Sequence, residues 1–460
     1  MTTPTLVDDG SRVFSRDYAS SQGPLFGDAQ WNALRERALL SFEGMGLPTR
    51  KLENWKYSDS RFLAKTPWQA PHPKAMEGVL EEDLERFFYG EISGARLVFI
   101  DGHYCDRLSR IGDLQDGISV APLSEVHDDE LRELIDSQVA SSIEAGKAHS
   151  NAFALLNAAQ CEDGAVIRVS PKTEVDGFIN LLFLTTITEG PTLAQPRNFI
   201  ILGERSQVHV VERHIGLAED TQPSEYFNNV VTQVRLGPEA ILNYDRVQRE
   251  DAGAIHLGSI EVHQDRGSQF KASSVAFGAS FGRIEFAIEQ RGAGAETDVS
   301  GLYFGRNRQH HDNQIIVKHM ASQGRSKQLF KGILDGHSQG IFNGRIVVPE
   351  NIVGTEAEQT NANLLLSADA SVNTKPQLEI YAEDVKCSHG ATIGALDADQ
   401  LFFLRSRGMT KKSAQSLLTA AFASDVIDAI QFAPMRERWR ERLGKTLTGG
   451  SPSADQEIKG

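Results

Sequence analysis

Cysteine is scarce in this chain: three thiols, Cys105, Cys161 and Cys387, are scattered through 460 residues. An odd number so widely spaced makes no disulfide framework and points to a reducing compartment. Basic residues are outnumbered, 47 Lys and Arg against 62 Asp and Glu, for a formal net charge of -15. A general nucleic-acid binder needs a basic surface to displace counterions from phosphates, so the balance argues against that class. No run approaches the roughly 18 uninterrupted apolar residues of a membrane helix. The opening stretch, MTTPTLVDDGSRVFSRD, carries no basic-then-apolar export pattern, and the expected location is the cytoplasm. Proline is modest at 16 against 40 glycines, so glycine turns are expected.

Enzyme signatures are also missing. There is no His-Glu-x-x-His pair. LGKT at 443–446 has the end of a phosphate-binding loop, but Trp439 stands where that loop needs glycine. Nothing marks an enzyme that turns over on its own.

What is present falls into three regions. Residues 1–160 carry mainly helical signals. Trp31, Leu34, Leu39, Leu40 and Phe42 keep helical spacing between Gly27 and Gly46, and Pro48 follows. EEDLERFFYG (81–90) reads as a helix with acids in its first turn, and ARLVFID (95–101) as a strand. Helix is expected again from Pro122 to about Ala159, with Leu131, Leu134, Ile135 and Val139 on one face. From Ala165 to Val385 helical spacing gives way to short β-rich runs such as QVHVVERHIG (207–216) and GIFNGRIVV (340–348). So long an all-β block, with few Asn-Gly or Asp-Gly hairpin turns, favours a parallel β-helix over a sandwich. The last region is helical. Asp397 and Gln400 form a capping box, Gly408 stops the first helix, and Thr410 caps a second whose apolar face is Ala414, Leu417, Leu418, Ala421 and Phe422. A third helix starts near Pro434 and closes at Gly444. Beyond it, TGGSPSADQEIKG reads as a disordered tail.

Two clusters could carry chemistry. In DVKCSHGAT (384–392), Cys387 and His389 lie two apart, so an extended backbone sends both side chains to one face. Thiolate and imidazole suit iron, copper or zinc. Two donors do not close a site, so the remaining ligands must come from elsewhere, another chain included. The plain structural alternative is a buried cysteine beside a hydrogen-bonded histidine. In QHHDNQIIVKH (309–319), His310, His311, Asp312 and His319 include metal-ligating types, but adjacent His310 and His311 point to opposite faces of a strand. A structural role is the favoured reading there.

The stretch from Lys375 to Gly408, KPQLEIYAEDVKCSHGATIGALDADQLFFLRSRG, closely resembles the signature of the SufB/SufD family, paralogous scaffold subunits of iron–sulfur cluster assembly. RKLENWKYSD (50–59), QHHDN with His319, GIFNGRIVV and TNANLLLS (360–367) support the resemblance, which spans about residues 45–430. It implies a mainly β fold, with a right-handed parallel β-helix core at 161–390 between helical domains at 1–160 and 391–446, and a disordered tail at 447–460. Within the family, SufB accepts sulfur as a persulfide, and residues 162–386 here hold no cysteine, so the resemblance is to the SufD branch. It further implies a non-catalytic scaffold in a SufB–SufC–SufD complex. The chain would pair with a SufB-like paralogue through the β-helix and dock the SufC ATPase on its C-terminal helices. His389 and Cys387 would be candidate ligands at the SufB–SufD interface. No cofactor is expected to stay bound. Transient iron or a nascent iron–sulfur cluster would be shared with SufB. A β-helix edge also permits a homodimer of the isolated chain. The alternatives are a SufB-like sulfur acceptor and a β-helical carbohydrate-active enzyme.

Overall fold

Strands of ten or so residues alternate with turns that demand an unusual backbone, and this pairing winds the central chain into a solenoid. Left-handed φ values recur at Arg205 (55°), Glu239 (59°), Gly267 (65°), Asn307 (53°), Gln323 (62°), Gly336 (67°) and Asn351 (65°). Each reverses the chain at a corner between rungs. The structure is a computed structural model of the chain and describes residues 13–14, 25–84, 87, 94–112, 114–149, 151–186, 190–217 and 225–447.

Consecutive strands fall in opposite sheets, so each pairs in parallel with the next strand but one. One sheet runs Gln207–Gly216, Ile241–Glu250, Gln269–Gly278, Glu296–Gly305, Arg325–Leu334, Thr355–Leu365 and Val385–Gly394. The other runs Tyr226–Leu236, Ile255–Gln264, Phe281–Gln290, His310–His319, Gln339–Val348 and Ser371–Ile380. The result is a parallel β-solenoid of about eight turns, as the sequence leads one to expect. Earlier strands prolong both sheets. Arg96–Ile100 pairs in parallel with Ile179–Thr185, and Ile118–Pro122 runs antiparallel to Ala165–Val169.

Pleating sends alternate side chains inward, and the lumen is filled by Val208, Val210, Leu242, Phe270, Ile288, Val317, Phe330 and Phe342. Burying each such side chain contributes about 1.5–3 kcal/mol, the main force holding the rungs together.

Helices cover the two outer faces. Ala29–Met45 is capped by the Asp28 carboxylate, which accepts from the Gln30 and Trp31 amides at 2.9 and 3.2 Å. Its Trp31, Leu34, Ala38 and Phe42 join helices Asp129–His149 and Ala152–Gln160 over Phe199, Phe227, Leu257 and Phe281 of one sheet. On the other sheet, helices Lys411–Asp428 and Ala433–Leu447 bury Ala423, Val426, Ile427, Met435 and Trp439 against Val247, Val275, Leu302 and Ile333.

Several expectations need correcting. Pro122 ends a strand rather than opening a helix, and helix begins only at Asp129, with a break in helical backbone at Gly146. Leu40 is exposed. In Lys411–Asp428 the sheet is met by Ala423, Val426 and Ile427, and Leu417 and Ala421 face solvent. Gly444 does not stop the last helix, which continues to Leu447. Of 81–90, Glu81–Leu84 is helical and most of the rest lies outside the described residues, as does the tail from 448.

Candidate functional site

The solenoid has an open end. Among the described residues, Ser371–Ile380 pairs only with Gln339–Val348, and Val385–Gly394 only with Thr355–Leu365. Each last strand therefore presents one row of backbone donors and acceptors without a strand beyond it, which is the chemistry of a sheet edge awaiting another chain. Apolar side chains ring this end, with Tyr381 63% and Ile393 52% exposed.

Cys387 and His389 both lie on the terminal strand Val385–Gly394, on one face, as their spacing predicts. Cys387 is in register with Ala357 of the previous rung and packs at the rim of a small apolar cluster of Ile346, Val348 and Ala357. Burial pushes its thiol above the ordinary range, against a weaker opposing hydrogen bond from the Ala357 backbone. The free chain thus holds a protonated thiol, which becomes a good ligand only when a metal displaces the proton. His389 is exposed, in register with the buried Gln359. No group of three His, Cys, Asp or Glu side chains able to hold a metal occurs among the described residues. The two donors stand together at an open edge.

The histidines of QHHDNQIIVKH do not converge. His311 and His319 both turn inward but sit eight residues apart along one strand, roughly 26 Å at about 3.3 Å per residue. His319 Nε2 lies 2.9 Å from Ser326 Oγ. His310 faces out and is covered by the RKLENWKYSD segment, where Ser58 Oγ donates to Asp312 Oδ2 at 2.6 Å and lies 2.9 Å from His310 Nε2. Serine, histidine and aspartate meet here, yet the hydroxyl is already committed to the carboxylate and Ser58 is buried. The group is a clasp, not a nucleophile. Arg283 completes it, bonded to Asp312 and stacked 4.0 Å over the Trp55 ring. Lys375, on the last strand of that sheet, reaches Glu53 of the same segment.

Sequence reasoning missed a charged layer inside the solenoid. Glu212 accepts from Tyr244 at 2.7 Å and lies 2.8 Å from His214, with Arg246 beside it, while Glu250 bonds His256 at 3.0 Å and Asn228 at 2.7 Å. Burial alone would raise the Glu212 carboxyl, but His214, Arg246 and Tyr244 together hold it down to about 2. Burial pushes His256 down to about 4, against Glu250 and assisted by Arg246. The only sequence trace of this layer is polar residues at inward positions of otherwise apolar strands.

The chain matches two family models end to end: the SufBD protein N-terminal region over residues 27–181, and the SufBD core domain of the SUF iron–sulfur cluster assembly system over 183–422. It is 31% identical over 435 residues to an iron–sulfur cluster assembly SufBD family protein of Synechocystis, covering 90% of this chain and 94% of that protein. It is 26% identical over 416 residues to the iron–sulfur cluster assembly protein SufD of Escherichia coli, covering 88% and 90%. A chloroplastic protein of Arabidopsis thaliana, ABCI7, is 29% identical over 405 residues, covering 86% and 82%. With an open-ended β-solenoid carrying Cys387 and His389 on its last strand, this chain belongs to the SufBD family of iron–sulfur cluster assembly proteins and is SufD-like within it.

Proposed function

We propose that this chain is a non-catalytic scaffold subunit that pairs through its open β-edge with a SufB-like paralogue, docks the SufC ATPase on its C-terminal helices, and lends His389, with Cys387, to iron or a nascent cluster held between the two scaffolds. The observation that carries this reading is the incomplete ligand pair on a terminal strand that is paired along one edge only among the described residues. A ligand set that cannot close within one chain, on an edge that cannot satisfy its own backbone, is completed by a second chain laid against it. The cluster is cargo, assembled and passed on.

The absence of cysteine between Cys161 and Cys387 favours this role over that of a sulfur acceptor, which needs thiols along the core. Support for ATPase docking comes from helix Ala398–Ser406, none of whose residues is buried, with Phe402 73% and Phe403 56% exposed. Large exposed aromatics on a folded helix mark a surface meant for a partner. Only residues 395–397 separate this helix from the ligand strand. A push on the helix is therefore transmitted to the strand, and rigid-body movement of docked ATPase subunits would strain or open the scaffold interface.

The test is co-purification with SufB-like and SufC partners, followed by anaerobic iron and sulfide analysis. A scaffold co-elutes and stimulates ATP hydrolysis. A chain that elutes alone contradicts the proposal. If label distances across the scaffold interface stay the same when ATP binds, the coupling is refuted.

A further inference from the structure

We infer that Gln359 is the positioning residue of His389: its side-chain oxygen receives one imidazole N–H and so leaves the other ring nitrogen free for iron. The inference rests on the reading of His389 as a ligand and adds the group that selects its tautomer.

In-register residues of adjacent parallel strands project on the same side about 4.8 Å apart. Gln328, Gln359 and His389 are such a set, on three successive strands of one sheet. Gln328 and Gln359 are both wholly buried. A buried amide is costly unless each of its polar atoms finds a partner.

The Gln359 amide is half satisfied. Its Nε2 donates to Gln328 Oε1 at 2.8 Å, while its own Oε1 is buried and has no partner among the described residues. The nitrogen and oxygen of a carboxamide diverge from the carbon by about 120°, and both lone pairs of the oxygen are acceptors. With the nitrogen committed to the rung above, the oxygen is turned away from that rung. The strand on the other side is the one that bears His389. The amide also has room made for it. A Cβ at Gly344, on the facing sheet, would collide with Gln359 Nε2 and Cδ, so the glycine of GIFNGRIVV lets the side chain cross the lumen.

His389 is the complement. Its strand has no rung beyond it among the described residues, and its side chain is exposed rather than fixed by neighbours. A neutral imidazole presents one N–H and one lone pair, and which nitrogen carries the proton decides which can bind metal. A buried carbonyl oxygen that only accepts selects the tautomer whose N–H points inward. Metal-binding histidines are commonly fixed by such an acceptor on the second nitrogen. Gln328 supports the acceptor in turn, since its Oε1 holds the Gln359 amide in one orientation.

The test uses the full-length chain as wild type, Gln359→Leu, Gln359→Glu and His389→Ala. Glutamate keeps an acceptor at the same reach, with Gln328 turning its amide to donate. Two readouts are taken: the imidazole tautomer of His389 in the metal-free, ¹⁵N-histidine-labelled chain, assigned by its loss in His389→Ala, and anaerobic titration with ferrous ion. One tautomer is expected to dominate in the wild type and Gln359→Glu, and a mixture in Gln359→Leu. Ferrous affinity should fall roughly 10- to 100-fold in Gln359→Leu and stay within about threefold of wild type, or rise, in Gln359→Glu. Rescue by glutamate separates positioning from packing, because a merely structural loss would not return with an acceptor. A Gln359→Leu chain with wild-type melting temperature, tautomer and ferrous affinity overturns the inference. If His389→Ala binds ferrous ion as the wild type does, the ligand role itself fails, and the tautomer readout still decides Gln359.

Discussion

Gln359 and His389 stand in register on the last two strands of one sheet, the glutamine wholly buried and the histidine exposed at the open end of the solenoid. The boundary between the protein's interior and its open edge thus falls between two neighbouring side chains. A ligand placed there has a dry, ordered support on one side and room for a partner on the other.

The edge itself is open to test. Ile393 lies on the terminal strand, half exposed, and contributes little to the folded chain alone. Ile393→Lys is expected to weaken pairing with the SufB-like partner at least about tenfold, a cost typical of disrupting a central apolar contact. The melting temperature of the isolated chain should hold. Titration calorimetry measures the affinity, and unchanged pairing would place the interface elsewhere.

The proposed docking of the ATPase falls on the exposed aromatics of helix Ala398–Ser406. The double variant Phe402→Ser, Phe403→Ser should lose SufC binding by about tenfold or more while leaving scaffold pairing intact. Neither ring is buried in the chain, so thermal stability should not change. Retention of SufC on an affinity column by the double variant would refute the assignment.

The clasp over the outer sheet is a structural prediction. Asp312 receives Ser58 and Arg283, and Arg283 is buried under Trp55. Asp312→Ala leaves the buried guanidinium only its longer 3.4 Å contact to Glu285 and is expected to destabilise the fold by about 3–5 kcal/mol. Denaturant midpoints measure this, and a loss under about 1 kcal/mol would show that the clasp is peripheral.

Stability should fall with acid in two stages. His256, His311 and His319 are driven down from 6.5 to about 4, chiefly by burial. The unfolded chain takes up these protons below about pH 6.5 and the folded chain does not, so stability declines as pH falls from 6.5 toward 4. Glu212 and Glu261 are held at about 2 against 4.5 despite burial, by histidine and arginine partners. Their contribution is present above pH 4.5 and is lost as pH falls from there toward 2. Melting temperatures at pH 7.5, 5.5 and 4.5 should drop steadily, and His311→Asn should flatten the first stage. A level profile between pH 7.5 and 5 would contradict the burial of neutral histidines.

Much of this was legible in the sequence, for identifiable reasons. Alternation in QVHVVERHIG and its successors gave away the strands, and the spacing of Cys387 and His389 gave their common face. The corner turns hid the repeat, because the left-handed slot is filled in different rungs by Arg205, Glu239, Asn307, Gln323 or a glycine, which share a backbone shape and no side-chain chemistry. The apolar face of helix Lys411–Asp428 is only partly legible, because Leu417 is exposed while Ala423, Val426 and Ile427 meet the sheet. The clasp and the Glu212 layer were invisible for another reason. Ser58 and Asp312 lie 254 positions apart, and only the winding of the solenoid brings them together.

The central claim is that this scaffold lends the His389 imidazole to iron shared with a paralogous partner. Its most direct test is anaerobic iron and sulfide content of the co-purified complex, wild type against His389→Ala. The account predicts an intact complex with normal subunit ratios whose iron and sulfide fall to background. A His389→Ala complex that carries wild-type iron and sulfide would contradict it.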